Sequence, residues 1–417
     1  MRENSTDLLS EVKFGTVPSG WRLVPLRDIV LTASYGLNNP VDEIGNCSIL
    51  GMRNIQDGRL DLTNMSRVRA TDADMASCKL SRGNLLVNRT NSIDLVGKTA
   101  VVDEDIPHVF ASYLVRLIVD ENEADPWYVN AWLNSRATQA LIRKLATMAV
   151  GQANLNISAF QKYCLVPLPS LPQQRRIAEV LKTSDKAIEK MDRLLAAKSK
   201  ALDHWSLMLL SGRKRLGSKR SNWQSVVLTD VTSEATSRNG GSLGGDVVMG
   251  VNKSLGMIPM KDHVRAADLS RYKIVAPEAF AYNPMRLNIG SIAQNLHGRE
   301  VLVSPDYVAF AAQPDALLPA YFDHLRRSWL WSRFVKTAGS GGVRVRIYYD
   351  DLADFVFELP PLPEQPRIVD VLDTGRREIA LLEAQRDALA KQKRGLMQKL
   401  LTGEWPVSVP TTKEAAE

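Results

Sequence analysis

The sequence predicts an α/β chain of the mixed α+β kind. Two globular domains stand in tandem, separated by two long α-helices packed as an antiparallel coiled coil, with a pseudo-two-fold internal repeat. Three observations carry this expectation. The decamer LPSLPQQRRI, beginning at Leu168, returns as LPPLPEQPRI at Leu359, 191 positions later. The match holds at that one offset for about sixty residues, pairing Gly151 with Gly342, Thr183 with Thr374, Ile188 with Ile379, and Leu209-Leu210-Ser211-Gly212 with Leu400-Leu401-Thr402-Gly403. So long an ungapped match marks a repeat rather than chance. Within each copy, apolar residues recur in alternating steps of four and three, the period of a coiled coil.

Each helix has a start and a stop. Pro172 and Pro363 stand near a helix start, where the N–H that proline lacks is not needed, and Gly212 and Gly403 are natural terminators. The roughly forty residues between give a rod of about 60 Å at 1.5 Å per residue. In the first rod the inner positions are Ile177, Leu181, Ser184, Ile188, Met191, Leu195, Lys198, Leu202, Trp205 and Leu209. In the second they are Ile368, Leu372, Gly375, Ile379, Leu382, Arg386, Leu389, Lys393, Leu396 and Leu400. Each seam needs a partner, and the intervening domain can return the chain to the far end, so the two rods are expected to pack antiparallel. Ser184, Lys198, Arg386 and Lys393 weaken the seam but help to fix its register. The competing arrangement, in which each rod packs only on its own domain, does not need a sustained 3.5-residue repeat.

Upstream of each rod lies a longer segment, and these two match only in outline. Each begins near a tryptophan, Trp21 in PSGWRLVPLRDIV and Trp223 in SNWQSVVLTDV. Each later places an asparagine in an apolar stretch that is followed by a glycine: Asn88 in LLVNRTNSIDLVGKTA and Asn283 in AFAYNPMRLNIGSIA. The expected boundaries are 15–170 and 221–361 for the domains and 171–212 and 362–403 for the rods. The tail, 404–417, carries little periodic signal and reads as a short cap or a frayed end.

Composition bounds the function. At 417 residues, 45% hydrophobic and 24% charged, the chain is long enough for two or three domains with real cores, which excludes a disordered tail or a fibre. The 53 Lys+Arg against 46 Asp+Glu give a net charge of +7 and a pI near 9.2. That balance leans towards polyanionic partners such as nucleic acid, although a basic protein without such a partner has the same numbers. Cys47, Cys78 and Cys164 are odd in number, widely spaced and free of any CxxC pair, so neither a disulfide framework nor a zinc site is expected, and the compartment reads as reducing cytosol. The polar N-terminus MRENSTDLLSEVKFG, and the lack of any run of about 18 apolar residues, suggest neither a signal peptide nor a membrane span.

The doubled pattern of variable domain, LPxLPxQxRI and long helix ending in LL[ST]G resembles the specificity subunit of type I restriction-modification systems. LVSPDYVAF (302–310) and AYNPMRLNIG (281–290) also resemble segments of that family's target-recognition domains. The resemblance runs from Trp21 to Gly403. It implies a DNA-reading subunit without chemistry of its own, located in the cytoplasm. Each target-recognition domain would read one half of a bipartite site in double-stranded DNA, and the helical pair would set the spacer between the halves. Half-sites one duplex turn apart are separated by about 34 Å, a span that such a rod can bridge. The resemblance also implies two methyltransferase (modification) subunits docked on the chain and endonuclease/translocase (restriction) subunits that join them. S-adenosylmethionine, ATP and Mg2+ would then belong to those partners, with no cofactor in this chain.

Base reading needs Arg, Lys, Asn or Gln at the edges of the variable domains, with further contacts to phosphate. NRTNS (88–92) puts Arg89 and Asn91 directly after an apolar run, and NPMRLN (283–288) offers Arg286 and Asn288; both also read as ordinary solvated turns. In TAGSGGVRVRIYYD, the glycines Gly339, Gly341 and Gly342 precede Arg344 and Arg346, whose alternation with Val343, Val345 and Ile347 puts two guanidinium groups on one face of a strand. That face suits phosphate, or is a plain exposed strand face. The first domain has GQANLNISAF in register, so Gln152, Asn154 and Asn156 replace the cations with amides. RKRLGSKR (213–220) reads better as a solvated linker than as a phosphate contact.

Two other classes compete with this reading. A DNA adenine methyltransferase needs a glycine-rich cofactor loop and an N/D-P-P-Y/F motif for the flipped base. Tyr282-Asn283-Pro284-Met285 is similar to the start of such a motif but lacks the second proline and the aromatic ring, and LGGD (243–246) does not make the loop. The histidines at 108, 204, 263, 297 and 324 show no metal-binding spacing, and neither a Walker A sequence nor an assignable PD-(D/E)xK constellation is present, so the chain reads as non-catalytic. A coiled-coil interaction protein that does not read DNA would explain the helices but not two differing globular domains.

Overall fold

The computed structural model describes residues 18–149, 151–216, 222–260, 267–338 and 346–408. It divides into two compact units, residues 1–190 with 386–417, and residues 191–385. Each long helix therefore contributes one half to each unit.

The first unit is built on a four-stranded antiparallel sheet in the order Val30–Tyr35, Leu114–Val119, Leu85–Asn88, Thr99–Val101. Side chains alternate across a strand. Leu85 and Val87 therefore face a core with Val115, Leu117, Tyr128 and Leu141, whereas Leu86 faces a second core with Ala100, Leu50 and Phe110. With both faces covered, all four residues of Leu85–Asn88 are buried. The first core rests on two helices, Pro126–Leu133 and Arg136–Leu145, capped by Asp125 and Ser135.

The second unit repeats this plan with other residues. Its sheet runs Thr232–Glu234, Val308–Ala312, Phe280–Tyr282, Ile292–Gln294. Phe280, Tyr282 and Phe310 face the helices Pro319–Leu325 and Trp329–Thr337, while Ala281, Ala293 and Ala309 face a smaller core. In both units the strand after the tryptophan pairs antiparallel with the strand that leads into the proline-rich turn: Arg22–Pro25 with Leu165–Leu168, and Gln224–Val227 with Val356–Leu359. That pairing ties the start of each domain to the start of its helix.

The long helices span Leu171–Leu210 and Gln365–Leu401. Pro172 lies in the first turn of the first helix. Pro363 instead falls in the turn before the second helix, whose first turn holds Pro366. The helices run antiparallel in each unit: Lys393 Nζ meets Asp185 Oδ1 at 2.5 Å in the first, and Lys198 Nζ meets Glu378 Oε1 at 2.6 Å in the second.

The predicted ladder divides by depth. Ile177, Leu181, Leu209, Ile368, Leu372 and Leu400 are fully buried because they enter the domain cores. Ile188, Met191, Leu195, Leu202, Ile379, Leu382, Leu389 and Leu396 are half-buried, as the open face of a two-helix pair requires. Trp205 departs from the expectation. It is 45% exposed, because the next turn buries both Leu209 and Leu210 in the second unit's core and so fixes the inward face.

Each core is completed from both helices. Ile177 and Leu181, together with Leu400 and Leu401, close the first; Ile368 and Leu372, together with Leu209 and Leu210, close the second. The helices end alike at Gly212 (φ 69°) and Gly403 (φ 70°), in the left-handed region that glycine tolerates. Each glycine packs on the tryptophan that opens a domain, Trp223 and Trp21 respectively.

The joints between helix and domain differ in sign at matched positions. In the first unit Lys182 Nζ lies 2.8 Å from Asp103, which also accepts the Trp127 indole N–H at 2.9 Å. Asp185 meets Arg59 at 3.1 Å. In the second unit the residues matched to Lys182 and Asp185 are Asp373 and Arg376. Asp373 lies 2.8 Å from His324 Nε2, and Arg376 lies 3.6 Å from Asp323. All three cysteines are free and buried. No helix among the described residues is long and apolar enough to cross a membrane.

Candidate nucleic-acid interface

Four residues singled out in the first domain converge on one small sheet. Thr90–Asn91 follows the central strand and pairs with Gln152–Leu155, which pairs in turn with Ala146–Ala149. Along Gln152–Leu155, Ala153 and Leu155 point into the core, which leaves Gln152 exposed and Asn154 half-buried on the other face. Thr90 Oγ1 donates to Asn154 Oδ1 at 2.7 Å, and Asn91 Oδ1 accepts the Ser92 amide at 2.8 Å. The Arg89 guanidinium lies 5.1 Å from the centre of the exposed Tyr35 ring. The Arg89 Nε and both amide atoms of the fully buried Asn88 have no hydrogen-bond partner among the described residues, a cost native folds accept at few positions. Asn156 has another role: its side chain caps the helix Ile157–Tyr163 by accepting the Ala159 amide at 3.0 Å.

The second domain presents a matched edge. Asn283 Oδ1 accepts the Met285 amide at 3.0 Å, and the turn it opens leaves Arg286 and Asn288 exposed. Gly290 closes the turn at φ 90°, and a side chain there would press on the stem of Lys253, 3.2 Å away. Lys253 thus lies over this turn; it comes from a hairpin far upstream, and sequence reading missed it.

Ile347 N–H donates to Pro284 O at 3.2 Å, just as Leu155 N–H donates to Arg89 O at 2.8 Å. These bonds align Arg346 with Asn154, one position away from the match with Leu155 that the offset of 191 gives. Arg346 is exposed and its Nη1 donates to the Tyr348 hydroxyl at 3.2 Å. Arg346 to Tyr348 are not in a strand, unlike their first-domain counterparts. Arg344 and residues 217–220 of the basic linker lie outside the described residues.

The model of the type I restriction modification DNA specificity domain matches residues 78–197, which carry the Asn88 turn, the small sheet and the start of the first helix. A putative type I restriction enzyme MjaX specificity subunit from Methanocaldococcus jannaschii is 23% identical, over 94% of this chain and 96% of its own length. Over nearly its whole length the chain is similar to a type I restriction-modification specificity subunit. Two solved structures share the fold of this chain. One is the S subunit of a type I restriction-modification system from M. genitalium, at 13% identity and a TM-score of 0.56, covering 96% of this chain and 98% of that one. The other, from work on complex assembly and conformational transition of the type I system, has 16% identity and a TM-score of 0.56, with coverages of 94% and 100%.

Proposed function

We propose that the two domains are target-recognition domains that each read one half of a bipartite site in double-stranded DNA, with the long helices setting the spacer. The chain is the DNA-specificity part of a restriction-modification complex rather than its catalyst. One observation carries the two-part reading. Two domains of the same strand order, fastened alike to their helices, present different side chains at the matched edge: Arg89, Asn91, Gln152 and Asn154 in one, Arg286, Asn288 and Arg346 in the other. Arginine suits guanine, whereas asparagine and glutamine suit adenine, so the difference favours unlike half-sites. Arg344 and Lys253 would add phosphate contacts.

On this reading two modification subunits dock on the chain and methylate an adenine near each half-site, and restriction subunits join them. S-adenosylmethionine then belongs to the modification subunits, and ATP with Mg2+ to the restriction subunits.

The test is a methylome. The chain is co-expressed with the modification subunit encoded beside it in a host free of DNA methylation, and N6-methyladenine is mapped by single-molecule sequencing. A single split motif, methylated in both halves and lost when this chain is omitted, is expected. A soluble complex without chain-dependent methylation would overturn the proposal.

A further inference from the structure

The 191-residue repeat matches position 185 with 376 and position 202 with 393, yet the residues there are unlike. In the first unit Lys393 reaches Asp185 at 2.5 Å, their side chains only 17% and 22% exposed. At the matched crossing in the second unit, Leu202 replaces Lys393 and Gly375 replaces Ser184. A Cβ on Gly375 would lie 2.8 Å from Leu202 Cδ1, so the leucine fills the space a side chain would need. Arg376, matched to Asp185, turns to Asp323.

A second crossing follows the same logic. Lys198 pairs with Glu378 in the second unit, and the matched positions in the first hold Leu389 and Ala187.

Pairing like with like in this register breaks every match. Two first helices would set Leu202 on Ser184 and Asp185, leaving the acid without Lys393, and Lys198 on Ala187. Two second helices would set Lys393 beside Arg376, and Leu389 against Glu378. Only the mixed pair gives lysine on aspartate, leucine on glycine, lysine on glutamate and leucine on alanine. Asp185 would keep only Arg59, and a partly buried Lys393 set beside Arg376 in place of Asp185 is destabilising. Burial already pushes the Lys393 ammonium below its usual pKa, so an acid facing it matters.

We infer that Asp185, Leu202, Gly375 and Lys393 form a pairing code that fits the first long helix to the second and excludes pairing of either helix with its own copy. A single chain then seats one copy of each domain, and two identical half-site readers cannot be joined by mistake.

The test exchanges two residues of the full-length chain, Leu202→Lys with Lys393→Leu, without changing its composition. In the mixed pair both contacts are lost. Across two chains they return, since the lysine placed at 202 faces Asp185 of a second copy and the leucine placed at 393 faces Gly375. Light scattering should show at least a doubling of mass relative to wild type at equal concentration, together with a lower Tm for the residual monomer. Unchanged mass and Tm would overturn the inference. Should the exchange variant be insoluble, Asp185→Asn, Lys393→Met and their combination are compared by thermal unfolding. The combined loss in Tm should be smaller than the sum of the single losses; additive losses would overturn the code.

Discussion

Gln174 and Gln365, matched across the repeat, make the same hydrogen bonds in their separate units. Gln174 Oε1 accepts the amide of Asp125, the cap of the first domain's helix, at 2.9 Å, and its Nε2 donates to Pro169 O at 2.9 Å and Glu123 O at 3.4 Å. Gln365 Oε1 accepts the amide of Leu318, the residue capping the matched helix, at 2.7 Å, and its Nε2 donates to Pro360 O at 3.1 Å and Ala316 O at 2.8 Å. Both are buried. One side chain thus staples the proline-rich turn to the domain it leaves, which is why LPxLPxQxRI is written twice.

Replacing either glutamine by alanine strands a buried amide and two carbonyls. Each change should cost about 2 kcal/mol of unfolding free energy. The two losses should add in the double variant, because the sites share no partner. Urea unfolding of the two singles and the double tests this; a strongly non-additive double would contradict separate joints.

Gly403→Ala should be worse than Gly212→Ala. Both positions are left-handed, which costs a non-glycine residue roughly 1 kcal/mol. A Cβ at 403 would also lie 2.3 Å from Pro18 Cγ, against 3.0 Å from the Trp223 ring at 212. Thermal unfolding should rank wild type above Gly212→Ala and that above Gly403→Ala.

Acid should weaken the second unit through His324. Burial, and then the positive charge of Arg376, hold its pKa down to about 4 despite Asp373 and Asp323 nearby. The unfolded chain, with an ordinary value near 6.5, binds the proton first, so stability is fully present above about pH 6.5 and falls as the pH drops towards 4. The loss should reach on the order of 3 kcal/mol. Unfolding measured from pH 7 to 4.5 should show this slope in wild type and a flatter one in His324→Asn.

At the proposed DNA edge, Arg346→Ala should cost about 1–3 kcal/mol in binding and relax specificity within one half-site only, as expected of a base-edge contact. Arg344→Ala should weaken binding to all sequences and lower the salt dependence by about one ion, as a phosphate contact would. Fluorescence anisotropy of the assembled complex at several salt concentrations separates the two patterns. A salt slope that Arg344→Ala leaves unchanged would remove that residue from the interface.

What the sequence made legible follows from rigidity. Two long helices that complete two cores tolerate no insertion, so one offset of 191 survives from Ile177 and Ile368 to Gly212 and Gly403. The common fold of the domains was not legible, because Leu85–Asn88 and Phe280–Tyr282 are buried on both faces and show no alternation to read. The alternating spacing around Arg346 predicts a strand, but Arg346 to Tyr348 are in none, although the amide of Ile347 keeps the bond to Pro284 that Leu155 makes to Arg89 from within a strand. Lys253 gave no local signal, since it reaches the turn at Gly290 from a hairpin 37 residues upstream.

Leu400 and Leu401 sit in the core of the first domain, yet they follow the entire second domain in the chain. A ribosome therefore releases the first domain with its core still open and must make the entire second domain before that core can close. During synthesis the first domain waits for its last core residues, and a chain ending before Leu400 lacks two of the side chains that close that core.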